Sequence, residues 1–300
     1  MANPVYLDLT EGELRERAAR LFGLASSCRL CPRACGARRD RGETGFCGAP
    51  LVPWIASFGA HFGEEDVLVG AGGSGTIFLS GCVLQCLFCQ NYGISQLGEG
   101  EEIGVEDLAR IMIRLQEMGC GNVNLVSPTH QAPQIVAALV QAREEGLHLP
   151  LVWNCGGYES VEALRLLEGI VDIYMPDFKY GDSAVAADLA EAPDYVERAQ
   201  AAVREMHRQV GNLVIEDGAA VRGLLVRHLV LPNGIAGTEA VLRFIADGIS
   251  PDTYVNVMAQ YHPAHRAHQR PGLARRLTPR EHEEALVLAR RLGLRRAGAH

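Results

Sequence analysis

GTIFLSGCVLQCLFCQ, residues 75–90, runs from an apolar strand-like segment straight into a loop that carries three cysteines and no fourth. Cys82, Cys86 and Cys89 stand in a C-x3-C-x2-C arrangement, and the next cysteine, Cys120, lies 31 residues further on. A closed structural zinc site wants four ligands. Three thiolates suit a [4Fe–4S] cube, where they hold three irons and leave the fourth open to an exogenous ligand; the close spacing demands one short loop around one cluster. A mononuclear zinc with water or a distant group as its fourth ligand is the other reading.

Outward from this stretch the chain falls into a rhythm. Apolar strand-like runs recur at 75–81, 122–128, 149–155, 171–178, 224–232 and 253–261. Between them lie amphipathic helical patterns, among them VEDLARIMIRLQEMG, APQIVAALVQAREEG, SVEALRLLEG, PDYVERAQAAVREMHRQVG and TEAVLRFIADG. Pro133 and Glu162 fall where helix starts favour a proline or an acid, and Gly119, Gly146 and Gly211 mark helix ends. A last helix begins at a Thr278-x-x-Glu281 capping signal. Residues 212–223 read as a small hairpin turning at Asp217-Gly218. Near-continuous apolar strands alternating with helices imply a parallel sheet covered by helices. Six such units predict a (β/α)6 sheet, either an open barrel or a doubly wound layer. The triad then sits at a strand's carboxyl end, the edge where such folds bind ligands.

The chain has 300 residues, 48% of them hydrophobic, enough for one large core or two smaller ones. With 28 Lys and Arg against 36 Asp and Glu, the net charge of −8 argues against a nucleic-acid binder, which needs a basic surface. The first 23 residues lack the apolar core of a secretory signal, and no apolar run is long enough to span a bilayer. The expectation is a cytoplasmic protein with no membrane partner. In that reducing setting nine cysteines are better metal ligands than disulfide partners. Cys120 and Cys155, each flanking an apolar run, read first as small buried residues.

With the triad and the six-unit pattern in place, the chain resembles the radical S-adenosylmethionine (radical SAM) enzymes over roughly residues 70–290. The aromatic Phe88 before the last cysteine belongs to that signature. The resemblance implies a partial (β/α)6 TIM-like barrel. It also implies a [4Fe–4S] cluster whose open iron takes the amine and carboxylate of S-adenosylmethionine. Reductive cleavage then yields a 5′-deoxyadenosyl radical that abstracts hydrogen from a substrate. Within the superfamily the short chain is most similar to relatives of pyruvate formate-lyase activating enzyme.

The same resemblance assigns the other strand ends. The second strand's tip, VSPTHQ, offers Ser127 and Thr129 where the family has a glycine-rich turn for the methionine amine. The third, NCGGY, puts Asn154 in place of an acid and Cys155 in place of a threonine. The fourth supplies Asp177 and Lys179, the latter a flexible point charge suited to a carboxylate. The fifth supplies Arg227, and the sixth Tyr261 and His262. His262, His265 and His268 form an H-x2-H-x2-H run; Pro263 and the spacing favour a loop over a metal site.

Cys28, Cys31, Cys35 and Cys47 form a second group, C-x2-C-x3-C-x11-C, whose four ligands suit a closed site, zinc or an auxiliary [4Fe–4S] cluster. Metal would supply the folding energy of this Gly- and Arg-rich segment. An element of this kind also heads a group of relatives of the activating enzyme. Activating enzymes with extra clusters carry them as an insert after the radical-SAM loop. The expected organisation is an N-terminal helix and metal-binding extension over 1–64, then a core over 65–300. The expected activity is activating-enzyme-like, on a protein or peptide substrate, with a one-electron donor such as flavodoxin or ferredoxin. The alternatives are a radical enzyme acting on a small metabolite and a non-catalytic metal-binding scaffold.

Overall fold

Strands buried on both faces need apolar side chains at nearly every position, and that is what the six runs supply. In this computed structural model, which describes residues 3–299, they fall within one sheet. Its strands are β1 (Trp54–His61), β2 (Ser74–Leu79), β3 (Glu101–Glu102), β4 (Val123–Val126), β5 (Leu151–Cys155), β6 (Ile173–Pro176), β7 (Val214–Glu216), β8 (Ala219–Leu229), β9 (Tyr254–Met258) and β10 (Arg296–Gly298). The order across the sheet is β10-β9-β8-β6-β5-β4-β2-β1-β3, with β7 on β8. Pairing is parallel from β2 through β4, β5, β6, β8 and β9 to β10. β1 pairs antiparallel with β2 and β3. The result is an α/β fold with a mostly parallel sheet, and the six runs are β2, β4, β5, β6, β8 and β9.

The helices are α1 (Glu11–Ala25), α2 (Asp66–Val69), α3 (Tyr92–Ser95), α4 (Val105–Glu117), α5 (Ala132–Glu144), α6 (Val161–Leu166), α7 (Ser183–Ala190), α8 (Tyr195–Val210), α9 (Thr238–Gly248) and α10 (Pro279–Arg291). Their ends follow local chemistry. Thr10 and Glu13 close a capping box on α1, and Thr278 and Glu281 close one on α10. Ser160 caps α6 by accepting from Ala163 N. Gly119, Gly146 and Gly211 follow α4, α5 and α8 with φ of 82°, 93° and 70°. α1 buries Leu14, Ala18, Leu21 and Ala25, one stripe at helical spacing, and packs on α5 and α6. Asp172, 1% exposed, ties the N-terminus to the sheet: its carboxylate accepts from Val5 N and Leu151 N, both at 2.8 Å.

Three local features depart from the sequence reading. The hairpin turns at Asp217-Gly218 as expected, with φ of 51° and 83°. Its second arm, however, does not stop before the fifth parallel strand, because β8 runs unbroken from Ala219 to Leu229. Gly223 makes this possible: its φ is 123°, and a Cβ there would lie 2.5 Å from Asn212 O. β1 was not visible as a strand because WIASFGAH is buried on alternate positions only in part. α7, SAVAADLA, is too rich in small residues to show a strong apolar stripe.

The two faces of the sheet differ. Leu125, Trp153, Tyr174, Val226 and Val255 pack into the main core with the helices. On the other face Leu68 of α2 packs with Val152, Ile173, Leu225 and Tyr254, which closes that face at the amino ends of the strands. Above this apolar floor, Asn124, Asn154, Asp177, Arg227 and Asn256 bring polar groups toward the carboxyl edge.

Candidate active site

The triad loop leaves β2 through Ser80 and Gly81. Gly81 has φ 81°, and a Cβ there would stand 2.5 Å from the Cys47 carbonyl oxygen, so only glycine fits this approach. The loop is then tied down along its length. Leu87 N donates to Leu189 O at 2.8 Å, Arg266 N donates to Leu87 O at 2.9 Å, and Gln96 Nε2 donates to Cys86 O at 2.8 Å. Phe88 is buried, edge-on to Tyr261 and Tyr180 at centroid distances of 5.7 and 6.4 Å. It wedges the loop into the core beside the thiols.

Cys86 is buried, and Cys82 and Cys89 are partly so. The Cys82 thiol is pushed up to about 12 by burial, with Cys86 and Cys89 adding to the effect. Burial also raises Cys86, against the opposing charge of Lys179. The three thiols therefore act on one another. Hydrogen-bond donors already face them: Leu84 N lies 3.4 Å from Cys82 Sγ, and Tyr180 Oη donates to Cys86 Sγ at 3.7 Å. Cys89 Sγ lies 3.2 Å from Ser95 Oγ. Cys82 and Cys86, raised by burial but faced by donors and a cation, are poised to ionise when a metal takes the charge. The donor set fits a thiolate-bound cluster. Among the described residues no three His, Cys, Asp or Glu side chains stand in the arrangement of a bound ion, and this holds for the triad and the N-terminal four alike.

Beside the triad lies a charged network. Lys179 Nζ donates to Asp177 Oδ2 and Arg227 Nε to Asp177 Oδ1, both at 2.7 Å. Arg227 further donates to Glu64 Oε1 at 2.9 Å and Asn154 Oδ1 at 2.8 Å. Asn124 Nδ2 donates to Glu64 Oε2 at 2.9 Å, and Asn154 Nδ2 does so at 3.3 Å. Burial works to raise Asp177, but Arg227 and Lys179 more than offset it and hold the carboxyl at about 2. Burial likewise opposes both cations, and Asp177 keeps both above their ordinary values. Two cations face two carboxylates, so the network is balanced, and Lys179 retains donors beyond the one spent on Asp177.

The sequence-predicted residues divide accordingly. Asn154, Asp177, Lys179 and Arg227 converge in one network next to Cys82 and Cys86. Ser127 adopts φ 58° and donates its backbone N–H to Asn154 O at 2.8 Å. Thr129 is turned away: buried, it donates to Glu159. Burial pushes Glu159 up to about 7. His262 reaches the far end of the triad loop, its Nδ1 3.3 Å from Gln90 Nε2, and His265 stacks on Tyr92 at 4.6 Å. Cys120 and Cys155 are buried. Sequence reasoning missed Glu64, Asn124, Asn256, Glu159 and Tyr180. An amide inside an otherwise apolar strand, as in VNLV and YVNVM, was the available signal for the two asparagines.

The N-terminal group sits directly against this site. Arg33 Nε donates to Val83 O, inside the triad loop, at 3.0 Å, and Arg33 Nη2 donates to Ala190 O at 3.1 Å. The same guanidinium lies 3.5 Å over the Phe46 ring, next to Cys47.

Comparisons with known proteins bear on the family and the fold. The family model described as Radical SAM superfamily matches residues 76–218. The uncharacterized protein MJ0674 of Methanocaldococcus jannaschii is 34% identical over 278 residues, which cover 89% of this chain and 75% of that protein. The pyruvate formate-lyase-activating enzyme of Listeria monocytogenes serovar 1/2a is 27% identical over 113 residues, 34% of this chain and 45% of that enzyme. A radical SAM methyltransferase from Sphaerobacter thermophilus superposes with a TM-score of 0.52 at 16% identity, covering 100% of this chain and 95% of that one; this likeness concerns the fold. With three thiols on one loop at the carboxyl edge of a parallel sheet, and the family match spanning that loop, the chain belongs to the radical SAM superfamily.

Proposed function

We propose that this chain is an activating-enzyme-like radical SAM enzyme that takes hydrogen from a protein or peptide substrate, on a sheet that forms the superfamily's partial barrel. The observation that carries the radical chemistry is the placement of Cys82, Cys86 and Cys89 beside the Lys179–Asp177–Arg227 network. The local identity to the Listeria activating enzyme supports the choice of substrate class. When bound to the three thiolates, a [4Fe–4S] cluster supplies the electron that splits S-adenosylmethionine into methionine and a 5′-deoxyadenosyl radical. Lys179 offers its remaining donors to the cofactor's carboxylate, and Asp177 aims it. Arg227 and Asn154 hold Asp177 and Glu64 in place, so the ammonium is not pulled toward the floor. Phe88, Tyr180 and Tyr261 exclude water around the thiols. The electron enters from a small donor of the flavodoxin or ferredoxin kind.

The test is anaerobic incubation of reconstituted protein with S-adenosylmethionine and dithionite. 5′-Deoxyadenosine should form, and deuterium from a glycine-labelled partner protein should appear in it. Absence of 5′-deoxyadenosine sinks the radical reading, whereas product without deuterium from any protein sinks the activating-enzyme reading. Lys179→Ala should weaken cofactor binding about tenfold while the cluster's absorbance persists.

A further inference from the structure

The segment 26–53 contains four cysteines and, among the described residues, no helix or strand beyond the short 3-10 turn Arg39–Arg41. Cys28, Leu30, Cys31 and Ala37 set it into the main core. Backbone hydrogen bonds fold it back on itself: Cys28 N donates to Ala37 O and Gly36 N to Cys28 O, both at 3.1 Å, which sets Cys28 beside the stretch that carries Cys35. Ala34 N closes a turn on Cys31 O at 3.1 Å, and Gly48 N closes one on Gly45 O at 3.0 Å around Cys47, so the four cysteines lie on one folded-back loop. Gly45 is bare where a Cβ would come 2.4 Å from Cys35 Sγ, so the chain is folded tightly onto that sulfur.

Arg39 supplies the independent observation. It is 2% exposed, yet its Nη atoms donate to the carbonyls of His130 (2.6 Å) and Pro50, and its Nε has no partner among the described residues. A buried guanidinium spent on carbonyls is a charge in want of an anion. The groups it acts on are Cys28 and Cys47.

We infer that Cys28, Cys31, Cys35 and Cys47 hold one metal centre of net negative charge, for which Arg39 is the buried counter-charge. Four thiolates carry more negative charge than either a zinc ion or a [4Fe–4S] core neutralises, and ligation releases the thiol protons to solvent. Arg39 would then balance the excess and, through the His130 carbonyl, fasten the centre to the loop after β4. This assignment does not rest on cleavage of S-adenosylmethionine.

The experiment uses the full chain with Cys82, Cys86 and Cys89 all replaced by Ala, purified anaerobically and assayed for iron, sulfide and zinc. The expected result is about one zinc per chain, or about four irons with matching sulfide, and which of the two is found names the metal. Adding Cys31→Ser and Cys47→Ser should abolish it. A folded triad-less chain without metal overturns the proposal. Should that chain not fold, wild type is compared with the Cys31→Ser/Cys47→Ser protein, and equal metal content overturns the proposal just as firmly. Arg39→Met should hasten metal release to a chelator at least about tenfold, with Arg39→Lys in between; equal release rates for all three overturn the role of Arg39. Because no assay involves S-adenosylmethionine, a failure here is separable from a failure of the activating-enzyme reading.

Discussion

Cys82, Cys86 and Cys89 hang from the end of β2, whose residues Ile77 and Leu79 are buried in a core that extends through six parallel strands. Cys28, Cys31, Cys35 and Cys47 hang from a segment with, among the described residues, no strand and only one 3-10 turn, set into the core by Leu30 and Ala37 and tied to it by Arg33 and Arg39, which donate to core carbonyls. One group is positioned by the sheet; the other, under the metal centre proposed above, would position the segment that bears it. Metal removal should therefore separate them: the sheet persists without its cluster, while the N-terminal segment loosens without its metal. The two groups touch at Gly81 and Cys47, which makes the comparison testable from either side.

The largest expected effect is at the triad. Cys86→Ala should abolish formation of 5′-deoxyadenosine while far-UV circular dichroism stays native, because apolar strands hold the sheet, and the bonds to Leu189, Arg266 and Gln96 with the Phe88 wedge, not the thiols, hold the loop. Cleavage retained by Cys86→Ala would remove this loop from the chemistry. Loss of the fold instead would erase the contrast between the two groups.

Arg227→Met comes next. It leaves Glu64 with amide partners only and Asp177 with Lys179 alone, in a place from which water is largely excluded. Breaking a buried pair by removing one partner costs about 3–5 kcal/mol. Urea denaturation should register a loss of that order, with cluster absorbance retained in the folded fraction. A change below about 1 kcal/mol would mean the network is as solvated as a surface pair.

A third effect reads the floor beneath the site. Glu65 is 5% exposed and accepts from Asn256 Nδ2 at 2.7 and 2.9 Å. Burial pushes its carboxyl up from 4.5 to about 7, against the hydrogen bond from Asn256 and the charge of Arg227. A raised acid makes the folded chain the stronger proton binder. Its contribution is fully present below about pH 4.5 and is lost as pH rises through 7. Glu65→Gln should flatten the stability profile between pH 5 and 8 by roughly 2 kcal/mol. An unchanged slope would show that Glu65 is ionised in the fold throughout.

How much of this was legible beforehand depended on whether a local pattern carried the information. The six parallel strands were readable because burial on both faces forces apolar runs. The helix ends at Thr278 and Gly211 were readable because caps are local. Asp177, Lys179 and Arg227 were singled out through the resemblance to the radical SAM family, which assigns them by their places at successive strand ends. Glu64 could not, since it follows an antiparallel strand, β1, that returns it to the amino end of the sheet before it meets Arg227. Thr129 shows the converse: its position was right for the site, yet its hydroxyl faces Glu159, a partner 30 residues away that no spacing announces. Arg33 and Arg39 looked like members of a basic loop. Their carbonyl partners, Val83 and His130, lie 50 and 91 residues on.

The smallest expected effect lies at the seam between the two cysteine groups. Arg33 is half-buried, with Nε on Val83 O, Nη2 on Ala190 O, a further bond to Glu191 O, and its guanidinium stacked on Phe46. Arg33→Met keeps much of the aliphatic stem and removes the donors and the cation–π contact, for a loss of about 1–2 kcal/mol. Hydrogen exchange should show where that loss falls. If Arg33 couples the groups, amides of 28–48 and of the triad loop 82–90 should both exchange faster, and Arg33→Lys should restore part of the protection through the stacking alone. If only 28–48 responds, the triad loop is held entirely by Leu189, Arg266 and the Phe88 wedge, and the two groups are neighbours without being coupled.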